Sequence, residues 1–319
     1  MRDISLVRFL PSASKVPFIG MRMVAAVLSV IAIIASIFLF STRGLNYGID
    51  FVGGAVIEFP MEETPDVDAI RTLGNSLNVG DVQVQTISRP NQDIPGVRLS
   101  FPRQTPAEGE DDAQVQQDAL TKVQAALSEN FGVKLDQMSS SVLGSKVSGE
   151  LRRKGIISVV AALSMVLIYI WIRFEWQFAL GAVLALAHDV TLTIGVFSLT
   201  QMEFSLAIVA AILTIVGYSL NDTVIVYDRI RENLRKYKKR PLGEVLNLSI
   251  NDTLSRTILT SVTTLLALLS LYVLGGAGLR GFSFAMIWGV FVGTYSSIFV
   301  ASPLLLALGV NRSGPSSES

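Results

Sequence analysis

Long charge-free apolar runs dominate the chain, and a segment of alternating and helically spaced apolar residues separates the first run from the rest. Met23–Thr42 runs 20 residues without a charge, Gly155–Ile172 18, Phe204–Asn221 18, Thr257–Leu279 23 and Gly281–Asn311 31. A spanning helix needs about 20 mostly apolar residues. Phe178–Leu199 reads as a further span, although His188 and Asp189 interrupt it. The pattern therefore predicts six transmembrane helices, over 23–41, 155–172, 178–199, 204–226, 257–274 and 282–307. The first run is longer than the apolar stretch of a secretory signal and ends without a clear small-x-small site, so an uncleaved anchor is expected.

The segment between the first two spans predicts a small folded domain, bounded here as 42–154. Ala55–Phe59 alternates and reads as a strand. Asp66–Leu77 places Val67, Ile70, Leu73 and Leu77 at helical spacing. Val82–Ile87 and Val97–Phe101 read as strands, and a charged loop, Pro102–Asp112, follows. Ala113–Glu129 reads as a second helix, and Val133–Val142 has room for a fourth strand. The order β-α-β-β-α-β is the ferredoxin-like arrangement. The expected fold class is thus an α-helical polytopic membrane protein carrying a small α+β ferredoxin-like periplasmic domain.

Composition narrows the chemistry. The 319 residues are 50% hydrophobic and only 16% charged, with 26 Lys+Arg against 26 Asp+Glu, and a mean hydropathy of +0.51. Balanced charge argues against a nucleic-acid binder resting on overall basicity. The absence of Cys excludes disulfides and thiol chemistry, and a single His excludes a multi-His metal site. No metal or cofactor is expected, and no nucleophile–base pair points to an enzyme.

Short-loop charges set the orientation. Arg2, Arg8, Lys15 and Arg22 precede the first span, and seven basic residues lie between Arg229 and Arg240. Both regions belong on one side, the cytoplasm. This makes 1–22 a cytoplasmic N-terminus, 227–256 a basic cytoplasmic loop and 308–319 a cytoplasmic tail. Arg152, Arg153 and Lys154, before the second span, oppose this but are outnumbered. The run Arg229–Arg240 reads as a solvated continuation of the fourth span near anionic headgroups.

Ionisable residues inside a membrane cost about 2.5–3.5 kcal/mol each on insertion scales and need a reason. Asp222 sits in Gly217-Tyr218-Ser219-Leu220-Asn221-Asp222-Thr223, about 27 Å along its span at the usual helical rise. It is either a proton-carrying carboxylate or the mark of a helix end; burial and a nearby cation act on such a group in opposite senses. Arg256 either faces Asp222 or pairs locally with Asp252, four residues earlier. His188 and Asp189 are either a relay or a polar packing contact. Arg173 and Glu175, beside Trp176, read as interfacial. Ala285, Gly289, Gly293 and Ser297 recur every four residues and read as a close-packing stripe. Ser219-Leu-Asn-Asp-Thr and Ser249-Ile-Asn-Asp-Thr repeat 30 residues apart, without a physical account from sequence.

Several of these motifs resemble one family. Gly48-Ile49-Asp50-Phe51-Val52-Gly53-Gly54 resembles the GIDFxGG signature of the SecD/SecF family of protein-export subunits. Gly217–Val224, running on through Tyr227–Asn233, is similar to that family's fourth-helix motif. Arg256–Ser261 resembles the start of its fifth helix, and Leu279–Phe282 with Gly293–Phe299 its sixth. The resemblance implies one six-helix half of a resistance–nodulation–division type assembly. SecD would be the other half, and both would join the SecYEG channel in the bacterial inner membrane. It implies that the proton gradient drives late-stage export of an unfolded preprotein, with protons as the coupling ion. It assigns the proton path to Asp222 and Arg256, within the motif that includes Tyr218, Ser219 and Asn221. Gly48, Gly53 and Gly54 would form a hinge after the first span. Two other readings remain: a proton-coupled exporter of small molecules or lipids, and a passive scaffold of the channel complex.

Overall fold

The structure is a computed structural model describing residues 15–61, 66–80, 82–88, 95–107 and 111–310. Arg2 and Arg8, most of the expected N-terminal segment, and the tail from 311 lie outside the described residues. The elements run α1 (Arg22–Arg43), the single turn α2 (Ile49–Val52), β1 (Gly54–Pro60), α3 (Val67–Ser76), β2 (Gln83–Ser88), β3 (Pro95–Pro102), α4 (Asp112–Phe131), β4 (Ser139–Leu143), α5 (Ser145–Arg173), α6 (Trp176–Thr200), α7 (Leu206–Lys236), α8 (Leu242–Leu274), α9 (Ala277–Ser296) and α10 (Ser302–Leu308). A π-helical stretch, Ser297–Ala301, joins α9 to α10. Among the described residues six helices are long and apolar enough to span a membrane: α1, α5, α6, α7, α8 and the composite α9–α10.

The segment between α1 and α5 folds as a four-stranded antiparallel sheet in the order β2-β3-β1-β4. With its two helices this is the ferredoxin-like topology. The alternation read from sequence builds one core: Ala55, Ile57 and Phe59 of β1, with Val97, Leu99 and Phe101 of β3, face Ile70 of α3 and Leu120, Val123 and Leu127 of α4. The helices start where carboxylates cap them. Asp66 accepts from the amides of Asp68 and Ala69, and Asp111 accepts from Ala113. The opposite sheet face is polar, carrying Glu58, Arg98 and Gln85 toward the membrane helices.

In the bundle, α7 packs against α8 and α9, and α6 against α1 and α9. Small residues permit this. A Cβ added at Gly293 would lie 3.0 Å from the Cβ of Ser219, and one at Gly289 would strike Ile215. Ala285 and Ser297 of the same stripe are fully buried. By contrast, the spanning windows of α1, α5 and α8 are only 17%, 6% and 17% buried, against 44–50% for the others. The apolar outer faces of these three suit them to lipid.

The region expected as a loop over 227–256 is instead helix, turn and helix, with only 237–241 between α7 and α8. Charge-free runs locate the lipid-immersed part of a helix, not its end. At 31 residues α7 is about 46 Å long and outreaches the bilayer core of about 30 Å. Beyond the core its apolar face continues: Tyr227 and Ile230 of α7 pack with Val245, Leu246 and Ile250 of α8, all essentially inaccessible. The last span is also longer than expected, and it contains a π-bulge. Pro303 has no N–H to give the preceding turn, and Ser302 Oγ donates to Ser297 O at 2.9 Å instead.

Candidate functional site

The polar residues of the spans gather where α6, α7 and α9 meet. Asp189 of α6 is 1% exposed and is the hub. Its Oδ2 accepts from Ser219 Oγ of α7 at 2.6 Å and from Ser296 Oγ of α9 at 2.7 Å. Its Oδ1 lies 2.9 Å from His188 Nδ1. The His188 ring stacks on Tyr295, whose hydroxyl donates to Ala25 O of α1 at 3.0 Å. One turn from Ser219, Thr223 and Ser297 hydroxyls lie 3.0 Å apart. The stripe of small residues on α9 is therefore also the wall that brings hydroxyls to α7.

Asp222 stands apart from this network. It is 1% exposed, and neither of its carboxylate oxygens has a hydrogen-bond partner. Thr257 of α8, also buried, has an unpartnered hydroxyl, as has the Nε2 of His188. Arg256 is the cation whose charge reaches Asp222, without a direct ion pair. A carboxylate so placed lowers its cost by taking up a proton, gaining water, or drawing the cation in. That is the property a proton-carrying group needs.

Asp252, the local alternative for Arg256, is engaged by another helix. Asp252 Oδ2 is held by Arg229 at 2.8 Å and by Asn233 Nδ2 at 3.1 Å, both on α7. The two Ser-x-Asn-Asp-Thr repeats share a helical register: Ser219 and Thr223, and Ser249 and Thr253, all turn inward. They differ in their carboxylates, one buried and orphaned, one half-exposed and paired.

Asn221 on α7 and Arg256 on α8 are exposed. With Ala207, Ala210, Thr214 and Gly217, Asn221 completes an exposed stripe of small and polar residues. Tyr218 is half-buried and donates to Thr264 of α8 at 3.4 Å. Among the described residues no group of three or more His, Asp and Glu could hold a metal.

The three glycines after the first span are tightly placed. A Cβ on Gly48 would sit 2.5 Å from Glu203 Oε1, and Gly53 has φ 76°. Gly54 has φ 142° and its backbone presses on that of Phe101. Arg173 pairs with Asp228 at 3.3 Å, both half-exposed, and Trp176 is exposed, an interfacial arrangement.

Sequence reasoning missed the contributions of Glu203, Arg229 and Asn233. Glu203 lies in the short connection between α6 and α7, half-buried, where Gln85 Nε2 donates to its Oε2 at 2.8 Å. Burial holds its carboxyl above the usual range. A lone carboxylate between two apolar runs was the available signal.

Residues 122–311 match the family described as protein export membrane protein SecD/SecF, C-terminal, and residues 38–65 match the SecD/SecF GG motif. The protein translocase subunit SecF of Cereibacter sphaeroides is 44% identical over 313 residues, covering 97% of this chain and 94% of that protein. That of Rhodobacter capsulatus is 46% identical over 290 residues, covering 89% and 86%. A crystal structure of SecDF, a translocon-associated membrane protein from Thermus thermophilus, matches with TM-score 0.79 at 32% identity. The match covers 96% of this chain and 40% of that longer one. Fold and polar core together define a multi-pass membrane subunit of the protein-export class, with a sheet domain at one end of a six-helix bundle. The chain belongs to the SecD/SecF family of protein export membrane proteins, among the SecF translocase subunits.

Proposed function

We propose that this chain works with a SecD partner at the SecYEG channel, using the proton gradient to promote late-stage export of unfolded preproteins across the bacterial inner membrane. The observation that carries the reading is Asp222, a buried carboxylate in a spanning helix with both oxygens free and the charge of Arg256 within reach. Protonation removes the attraction between them and lets α7 and α8 rearrange. One charge crossing 100 mV is worth about 2.3 kcal/mol, which biases a two-state element roughly fiftyfold. No cofactor beyond the proton is required. The SecD half covers the stripe ending at Asn221, since an exposed amide and an exposed guanidinium at membrane depth need protein or water rather than lipid. The His188–Asp189–Ser219 chain serves as a secondary relay. The sheet domain lies on the periplasmic side and both termini in the cytoplasm, as the basic tip of α7 and α8 directs.

The test is release of a translocating preprotein from vesicles holding the full complex, with and without a proton gradient. Asp222→Asn and Arg256→Met are expected to assemble and to lose the gradient-dependent part. Full retention by Asp222→Asn would leave a passive scaffold as the function. Altered drug sensitivity without accumulation of precursor would point to a small-molecule exporter.

A further inference from the structure

The junction between the sheet domain and the bundle is a set of hydrogen bonds that the polar core does not use. Residues 46–50 lie alongside 204–206. Phe204 N donates to Asn46 O at 2.7 Å, and Gly48 N donates to Phe204 O at 3.0 Å. Tyr47 and Phe204 form an isolated parallel bridge. Leu206 N then donates to Asp50 Oδ2 at 2.9 Å. This last bond is a helix cap supplied from 156 residues away in sequence. Helix α7 has none of its own, because Ser205, at its N-cap position, makes no capping hydrogen bond. The ring of Phe51 packs on those of Tyr47 and Phe204, with centroids 6.0 and 5.9 Å away. From the sheet, Gln83 donates to Asn46 Oδ1 at 3.0 Å and Gln85 to Glu203. Gly53 and Gly54 carry the same segment directly into β1.

The covalent connections of the sheet domain are α1 and α5, whose spanning windows are 17% and 6% buried, against 44% for α7. Neither of the two holds Asp222. We infer that the clasp between 46–51 and 204–206 is the joint through which a displacement of α7 reaches the sheet domain, with Asp50 as its positioning residue. The inference rests on the proposed movement of α7. It gives the GIDFVGG segment a mechanical role, in which its aspartate grips the helix that carries the proton site and its glycines deliver that grip to the first strand.

The chain has no native Cys, so cysteines introduced into it are its only thiols, and they test the joint in a full complex whose partner chains have been freed of reactive thiols. Asp50→Ala is expected to lower gradient-dependent preprotein release about tenfold, the order that loss of a helix cap carries. Asp50→Asn keeps an oxygen for Leu206 N and is expected to retain release. In the Asp50→Ala background, Tyr47→Cys with Phe204→Cys, oxidised to a disulfide across the bridge, is expected to restore release, and reduction to remove it again. Spin labels at Thr121 on α4 and at the exposed Arg235 on α7, away from the stripe assigned to SecD, report the joint without reference to export. Their distance distribution is expected to broaden in Asp50→Ala and to narrow again on oxidation. An unchanged distribution in Asp50→Ala, or full release by that variant while Asp222→Asn is dead, overturns the clasp alone. Equal loss in Asp50→Asn and Asp50→Ala also overturns it, since charge rather than the cap would then matter. Wild-type release indifferent to the gradient sinks the proposed function instead, and the label distances still decide the clasp.

Discussion

Arg229 on α7 holds Asp252 on α8, with Nη2 2.8 Å from Oδ2, and so takes the carboxylate that stands one helical turn before Arg256. The pair ties the two long helices together, and on the proposed reading it leaves Arg256 to answer to Asp222.

That division of labour separates two variants that look alike on paper. Asp252→Asn removes one of the two carboxylates on the partly exposed Arg229, Glu232 being the other, and weakens the contact to buried Asn233. It should lower thermal stability in detergent by about 1–2 kcal/mol, the size of charged hydrogen bonds less solvent screening. Gradient-dependent release should persist. Arg256→Met should do the reverse, with stability near wild type and coupling lost. Loss of coupling in Asp252→Asn at normal assembly would show that Arg256 depends on the local pair.

The hub at Asp189 makes a second prediction. Asp189→Ala strands the hydroxyl of Ser219 and Nδ1 of His188 in the core and leaves Ser296 only its bond to Gly293 O. At about 1–3 kcal/mol for an unsatisfied buried group, the bundle should lose on the order of 3 kcal/mol. Asp189→Asn keeps an acceptor but cannot carry a proton. Normal assembly with reduced gradient-dependent release in Asp189→Asn would make the hub a relay. Normal release would make it packing.

Gly54→Ala tests the start of β1. Its φ of 142° and the close approach of Phe101 O leave no place for a methyl group. Backbone in that region costs a non-glycine residue about 1–3 kcal/mol. Limited proteolysis should therefore cut the sheet domain faster in the variant while the spans stay protected. Equal cutting rates would show that the β1–β3 pairing tolerates the shift.

The spans and the sheet order were legible because each rests on one dominant force. Apolar runs answer to the bilayer, and the alternation in Ala55–Phe59 and Val97–Phe101 answers to one buried face. Asp222 was legible for the same reason, as a charge where none is comfortable. Helix ends were not, because α7 and α8 leave the bilayer while still packed together through Tyr227, Ile230 and Ile250. The engagement of Asp252 was not legible either. It depends on Arg229, 23 residues from Asp252 and on another helix. The remote cap from Asp50 to Leu206 is a tertiary contact with no local trace.

Glu203 supplies the pH dependence of the junction. Burial is the first reason its carboxyl lies above its ordinary value near 4.5, and the negative charge of Asp50 adds to it. The Gln85 amide and Arg98, itself paired with Glu58 at 2.6 Å, oppose the shift. Arg280 lines the same cavity of about 990 Å³ between the sheet and the bundle. An acid whose folded value is raised adds no cost while both states are protonated, below about 4.5. The cost appears as pH rises through the folded value, and it then stays. Docking of the sheet domain should therefore weaken from about pH 4.5 upward. Glu203→Gln, which can still accept from Gln85, should remove that dependence. Wild type and variant should coincide in thermal unfolding at pH 4, and the variant should be the more stable at pH 8. A variant less stable than wild type at pH 8 would mean that the carboxylate form of Glu203 holds the junction, through Arg98 and Gln85.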